Sequence, residues 1–272
     1  MSATIKRVIA IAGCKGGVGK TCIAVNLSLA LIKQGKRVVL MDGDLSVPDI
    51  SASMGLYPDL PLIDDKTIPV HRDIRVLNAP SGLTVLSPVG EIPWRKTTGV
   101  NDSVQLINQL DILASSLDTL IIDTAPGLGP DNVTLIQAAS EVIIIITQDT
   151  LSLLDGVRLI CQLYRVYGVN HFSVIVNAVS NRKKGQDQFE KLQSKLAHFN
   201  QVILCYLGSI PQDRAVTEAL ASQSAVFHAY PDSKAAKAFS TVAHNLSMMP
   251  ALPPKGRVEF FTPARIKEDC QP

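Results

Sequence analysis

Residues 13–21 read Gly13-Cys14-Lys15-Gly16-Gly17-Val18-Gly19-Lys20-Thr21. Ahead of them Ile5 to Ala12 is apolar and β-branched; behind them Cys22 to Lys33 carries Ile23, Leu27, Ala30 and Leu31 at helical spacing. The pattern predicts a buried strand, a glycine-rich turn and a helix, which is the context of a phosphate loop. Gly13, Gly16, Gly17 and Gly19 free the backbone to turn, so that N–H groups from Gly16, Gly17, Val18 and Gly19 through Lys20, Thr21 and Cys22 can face one anion. The helix N-terminus adds unpaired N–H groups and its positive dipole end. Lys20 reaches the β- and γ-phosphates of a nucleotide, and the Thr21 hydroxyl can ligate magnesium.

Further along, Arg37 to Met41 predicts a short buried strand ending at Asp42-Gly43-Asp44, and Leu120 to Ile122 a second one ending at Asp123. Open parallel sheets bind ligands at these carboxyl ends. Asp123, in Leu-Ile-Ile-Asp-Thr-Ala-Pro-Gly, is the second carboxylate expected beside a phosphate loop, orienting magnesium directly or through water. Ile74–Leu77 and Leu83–Leu86 read as short strands around Pro80-Ser81-Gly82, and 101–116 as one amphipathic helix. Strand and helix patterns then alternate: Val142–Thr147, Leu151–Tyr167 closed by Gly168, His171–Val176 ending at Asn177, Gln186–Phe199, Val202–Leu207, and helices over Asp213–Ala221 and Ser233–Leu246. Parallel neighbours need such crossovers. The predicted fold is a single-domain α/β structure over residues 1–250, a doubly wound, mostly parallel sheet with helices on both faces. The proline-broken segment 251–272 reads as a tail.

The 272 residues are 46% hydrophobic, enough for one large core, and the net charge of +2 argues against a broad nucleic-acid surface. Arg182-Lys183-Lys184 is the compact basic run; it reads as a solvated loop, and DNA binding is not expected. Cysteines at 14, 22, 161, 205 and 270 show no C-x-x-C pair. That is unlike a disulfide framework or a cluster shared across a dimer, and natural in a reducing cytosol. The longest aliphatic run, Val142–Ile146, is far shorter than the ~20 residues of a membrane span. In the tail, Phe260 and Phe261 near Arg265 and Lys267 make a short basic amphipathic stretch that Pro263 interrupts. Docking against its own domain is the expectation, weak membrane contact the alternative, with the two phenylalanines as anchors in either case.

Lys15, at the head of K-G-G-V-G-K-T, resembles the extra lysine of the deviant phosphate loop in the MinD/ParA class of ATPases. The resemblance implies a homodimer formed with ATP, in which Lys15 crosses to the partner's nucleotide. It also implies that Asp44 positions or activates the attacking water, and that Lys15, Lys20 and Asp44 carry the hydrolysis of ATP to ADP and phosphate. Asp42 takes a magnesium or structural hydrogen-bonding role. Asn177, Pro211 and Asp213 match the segments that cradle adenine in that class; read from the residues alone, a loop cap is the common alternative for Asn177, and Asp213 is equally a helix N-cap.

Residues 207–239, from Leu-Gly-Ser-Ile-Pro-Gln-Asp through Tyr-Pro-Asp-Ser-Lys-Ala-Ala-Lys-Ala-Phe, resemble the flagellar number regulators of the FleN/FlhG family. That resemblance implies a cytoplasmic regulatory ATPase, peripheral at the membrane or cell pole, that controls flagellar number or placement. Its implied partners are a sigma-54-dependent flagellar transcriptional activator, which it antagonises, and the flagellar signal-recognition-type GTPase. The first strand starts by Ile5, which leaves no room for the glutamine-containing helix by which some relatives stimulate that GTPase, so antagonism of the activator is the expected role. Gly43 replaces the family's usual alanine, and Val47-Pro48-Asp49 its Leu-Ala-Asn. A partitioning or division-site ATPase and a nucleotide-switched interaction protein with negligible turnover are the competing readings.

Overall fold

The computed structural model describes residues 6–44, 49–56, 74–79, 81–88, 100–253, 255 and 258–261. Short apolar runs become strands where β-branched residues are buried on both faces. They are β1 (Arg7–Ala12), β2 (Val38–Gly43), β3 (Ile74–Asn78), β4 (Thr84–Pro88), β5 (Thr119–Thr124), β6 (Glu141–Thr147), β7 (His171–Val179) and β8 (Ile203–Pro211). The helices are α1 (Lys20–Lys33), α2 (Ile50–Ser53), α3 (Val100–Gln109), α4 (Pro130–Ala138), α5 (Thr150–Tyr167), α6 (Arg182–Leu196), α7 (Arg214–Ala221), α8 (Val226–Ala229) and α9 (Lys234–Met248). The strands form one sheet in the order β3-β4-β2-β5-β1-β6-β7-β8. Among the described strands only the β3–β4 pair is antiparallel.

Alternation along β1 shows how the sheet builds two cores. Val8, Ala10 and Ala12 face the side covered by α3 to α6, where Ile107, Leu135, Ile160 and Leu192 are buried. Ile9 and Ile11 face α1 and α9, against Ile23, Leu27, Phe239 and Val242. Each fully buried side chain of this size contributes about 1.5–3 kcal/mol. Caps set the crossover ends. Asp149 accepts from Ser152 N at 2.8 Å to start α5, and Gly168 closes it in the left-handed conformation at φ 69°. Ser233 accepts from Ala236 N to start α9.

Several elements differ from their predicted bounds. β2 and β5 run through Asp42 and Asp123, so both residues lie within strands, side by side in register. The helix expected over 101–116 tightens into a 3-10 turn at Leu110–Ser115, where the Asp111 carboxylate accepts from Phe261 N at 2.7 Å. β7 continues past Asn177 to Val179, and β8 past Leu207 to Pro211, across a register shift. α8 was not predicted. Arg182-Lys183-Lys184 is not a loop but the exposed first turn of α6, capped by Asn181, which accepts from Lys184 N at 2.9 Å. A Cβ at Gly185 would come within 2.6 Å of Ser209, so that turn lies tight on β8 and extends the helix across the basic run.

The described part of the tail packs onto the domain. Phe260 and Phe261 are buried in the core under α3 to α6, and Lys255 Nζ donates to Ala139 O at 2.6 Å. Arg265, Lys267 and Cys270, like Val47 and Pro48, lie outside the described residues. Among those described, no helix is long and apolar enough to cross a membrane.

Candidate functional site

The sheet order brings β1, β5 and β2 side by side, so their carboxyl ends deliver the phosphate loop, Asp123 and Asp42 to one place. The loop takes positive φ at Gly17 (80°) and at Gly19 (92°), a backbone shape an L side chain rarely adopts. Gly19 is also the residue from which α1 departs, and a Cβ there would strike the Asn177 amide. Asn177 Nδ2 instead donates to Val18 O at 2.9 Å, so β7 braces the loop from behind. Gly127 N donates to Gly13 O at 3.3 Å, and Asn132 holds the following turn by donating to Ala125 O and Gly127 O.

A cavity of about 410 Å³ opens over this loop. Gly16, Gly17, Gly19, Lys20, Thr21 and Cys22 form its floor, Asp44, Asp49 and Asp123 one wall, and Leu220, Ser224 and Ala225 another. Lys20 is buried, and burial lowers its pKa against the pull of Asp123, Asp44 and Asp49. Burial also pushes Asp123 up to about 7, opposed by a hydrogen bond from Thr21 and by Lys20. Its Oδ1 is buried with no hydrogen-bond partner among the described residues.

Asp42 is fully buried, and burial pushes it too up to about 7. Its Oδ1 accepts from Asp44 N at 3.2 Å, while Oδ2 accepts from Asp49 N at 3.0 Å and Ile50 N at 3.1 Å. In this arrangement Asp42 is a structural acceptor that ties both ends of the segment 44–50 to β2. Gly43 belongs to the same device: a Cβ there would come within 2.8 Å of Asp123 O, forcing β2 away from β5.

Lys15 points away from the cavity floor. Its ammonium pairs with Asp155 on α5 at 2.8 Å, and Arg158 approaches the same carboxylate at 3.6 Å. Asp213 is the N-cap of α7: Oδ1 accepts from Ala215 N and Oδ2 from Ala235 N at 2.9 Å, bonds that hold its pKa low. Asn177 near the end of β7, Pro211 at the end of β8 and Asp213 just beyond it thus stand beside rather than among the residues that line the cavity. Asp49, Asn132 and Asp155 were not predicted as site residues. Asn132 follows Pro130-Asp131 at a helix start, a local signal for a capping region; Asp155 meets Lys15 only through the fold.

The residues fit a magnesium nucleotide. A loop of N–H donors, a buried ammonium and a buried carboxylate oxygen with no hydrogen-bond partner among the described residues suit phosphates accompanied by a cation. Among the described residues no three His, Cys, Asp or Glu converge to hold a metal alone, so an ion here needs phosphate or water as co-ligands.

A family model described as ParA, NUBPL iron-transfer P-loop NTPase, matches residues 4–247. The chain belongs to the ParA family of P-loop NTPases. Within the ParA family it is 36% identical to the antiactivator FleN of Pseudomonas aeruginosa, over 94% of this chain and 91% of that protein. It is 31% identical to the iron-sulfur cluster carrier protein of Aquifex aeolicus, over 90% of this chain and 68% of that one. The cell division ATPase MinD of Pyrococcus furiosus superposes with a TM-score of 0.69 at 24% identity, covering 89% of this chain and 99% of that one. The septum site-determining protein MinD of Pyrococcus horikoshii, complexed with Mg-ADP, has the same TM-score at 21% identity, covering 90% and 97%. These two establish the shared fold: the doubly wound α/β sheet expected from the sequence.

Proposed function

We propose that this chain is a magnesium-dependent ATPase that dimerises with ATP and controls flagellar number or placement by antagonising a sigma-54-dependent transcriptional activator. The observation that carries the reading is its 36% identity to the antiactivator FleN along nearly the whole of both chains. The chemistry follows from the cavity. Loop N–H groups and Lys20 take the phosphates, and Asp44 orients the attacking water. Phosphoryl transfer asks for such positioning and charge stabilisation more than for covalent help. Magnesium, held through Thr21 and Asp123, supplies further neutralisation of the phosphate oxygens. Asn177, Pro211 and Asp213 stand on the adenine side.

In the single subunit Lys15 is paired with Asp155. In the proposed dimer it exchanges that carboxylate for the partner's nucleotide, which makes turnover depend on assembly and hydrolysis the step that resets the regulator. The protein is proposed to work in the cytoplasm, peripherally at the membrane or pole, with the flagellar signal-recognition-type GTPase as a further partner. An iron-sulfur carrier role has less support: the five cysteines, at 14, 22, 161, 205 and 270, form no C-x-x-C pair.

The test is capture of partners by the full chain loaded with ATP or with ADP, alongside ATP turnover per subunit measured across protein concentration. Nucleotide-dependent capture of the activator and turnover that rises with concentration are expected. ATP-dependent DNA binding that falls steeply with salt would move the protein to partitioning. Turnover absent at every concentration would reduce it to a nucleotide-switched binding module.

A further inference from the structure

Asp49 stands at the rim of the cavity, and its employment is unusual for its position. It is the N-cap residue of α2, where an aspartate ordinarily accepts from the first turn, yet it makes no side-chain cap hydrogen bond. Its Oδ1 instead accepts from the Thr21 hydroxyl at 3.3 Å, a hydrogen for which Asp123 competes. The placement is not loose, because the backbone N–H groups of Asp49 and Ile50 are both held by Asp42 Oδ2. On the same wall of the cavity the buried Oδ1 of Asp123 has no partner among the described residues, which points to a ligand arriving beside the two carboxylates.

We propose that Asp49 is a positioning residue for the magnesium that enters with the nucleotide: it takes the hydroxyl hydrogen of Thr21, turning that oxygen's lone pairs toward the ion, and receives hydrogen bonds from the ion's water shell. A hydroxyl has one proton and two lone pairs, so an acceptor fixed on one side decides which way the lone pairs face. Magnesium binds through few protein oxygens and keeps several waters, which require acceptors of their own. No described trio of side chains converges on a bare ion, so a water-shell contact is the role open to a carboxylate at the rim. The same charge has a second effect. With Asp44 and Asp123 it makes three carboxylates beside the phosphates, so a nucleotide without its cation meets repulsion there.

This inference rests on the ATPase reading, and its test separates the two. The Asp49→Asn variant of the full chain keeps the size of the side chain and an oxygen for Thr21 while removing the charge. ATP binding is measured by calorimetry in EDTA and then across graded Mg²⁺. For the variant, the Mg²⁺ concentration giving half of the tight binding should rise about tenfold, the scale of one charge-assisted hydrogen bond. ATP affinity in EDTA should stay equal or improve, and Asp49→Glu should recover part of the Mg²⁺ response. A purely structural role lowers both affinities together, and that result overturns the assignment. An unchanged Mg²⁺ response overturns it as well. Wild-type chain that binds no ATP with or without Mg²⁺ sinks the ATPase reading and Asp49's role with it.

Discussion

Replacing Gly19 by alanine probes the point where the loop, the first helix and β7 meet. Gly19 has φ 92°, and a side chain held in the left-handed region costs about 1–2 kcal/mol. The added Cβ would also strike the Asn177 amide. That amide sits at the end of a side chain and can swing aside, but doing so gives up its bond to Val18 O, worth about 1 kcal/mol. Gly19→Ala should therefore cost about 2–3 kcal/mol in urea unfolding at unchanged m-value. In an Asn177→Ala background the collision has no target, and only the backbone strain of about 1–2 kcal/mol remains. The double-mutant cycle should thus show coupling of about 1 kcal/mol between the two positions. Equal costs in both backgrounds would mean that Asn177 does not brace the loop. A loss below about 0.5 kcal/mol in the wild-type background would mean that the left-handed turn itself is wrong.

Lys15→Ala and Asp44→Ala should each retain ATP binding and lose turnover, Lys15→Ala with a weakened ATP-dependent dimer by sedimentation; wild-type turnover in both variants would remove the roles assigned to them. Phe260→Ala should cost about 3–5 kcal/mol in stability, as for a buried phenylalanine, and should speed hydrogen exchange at the Phe261 amide, whose hydrogen Asp111 accepts. Without nucleotide, stability should fall as pH rises from about 4 to about 7. Asp42 and Asp123 are each raised from 3.8 to about 7 in the fold, so across this window the folded chain keeps protons that the unfolded chain has released. The slope is at most about 1.4 kcal/mol per pH unit for each carboxylate, and Asp42→Asn should flatten it; unfolding at pH 5 and pH 7.5 checks the sign.

What could be read along the chain and what could not divide by the range of the interaction. The phosphate loop was legible because all its requirements are local: a β-branched run, glycines at set offsets, Lys20-Thr21, then helical spacing. That Asp123 would come to this loop was legible because an apolar strand running into a carboxylate delivers it to the same end of the sheet, and it lines the cavity. The pairs that finish the site are different in kind. Lys15 with Asp155, Thr21 with Asp49 and Asn177 with Val18 O join segments whose periodicity reports only which face is buried, never what lies opposite. Charge misled at 182–184 for the same reason. A compact run of three basic residues reads as a solvated loop, yet Asn181 caps the turn and the missing side chain of Gly185 seats it on Ser209.

Asp42 shows how a site residue can be recognised from sequence and its task still be decided by packing. The pattern Asp-Gly-Asp after a strand predicts two carboxylates facing a nucleotide. In the fold the strand does not stop at Met41 but carries Asp42 into register with Asp123, where the close approach that Gly43 permits buries it completely. A buried carboxylate needs donors, and the nearest are the N–H groups of the segment just beyond the strand. Once those three bonds form, Asp42 decides where Asp44 and Asp49 begin, and these two line the cavity. The two aspartates of one motif are thereby divided between holding the loop and lining the cavity. A substitution at Asp42 should accordingly disturb Asp44 and Asp49 together, whereas one at Asp44 leaves the tether of 49 and 50 in place.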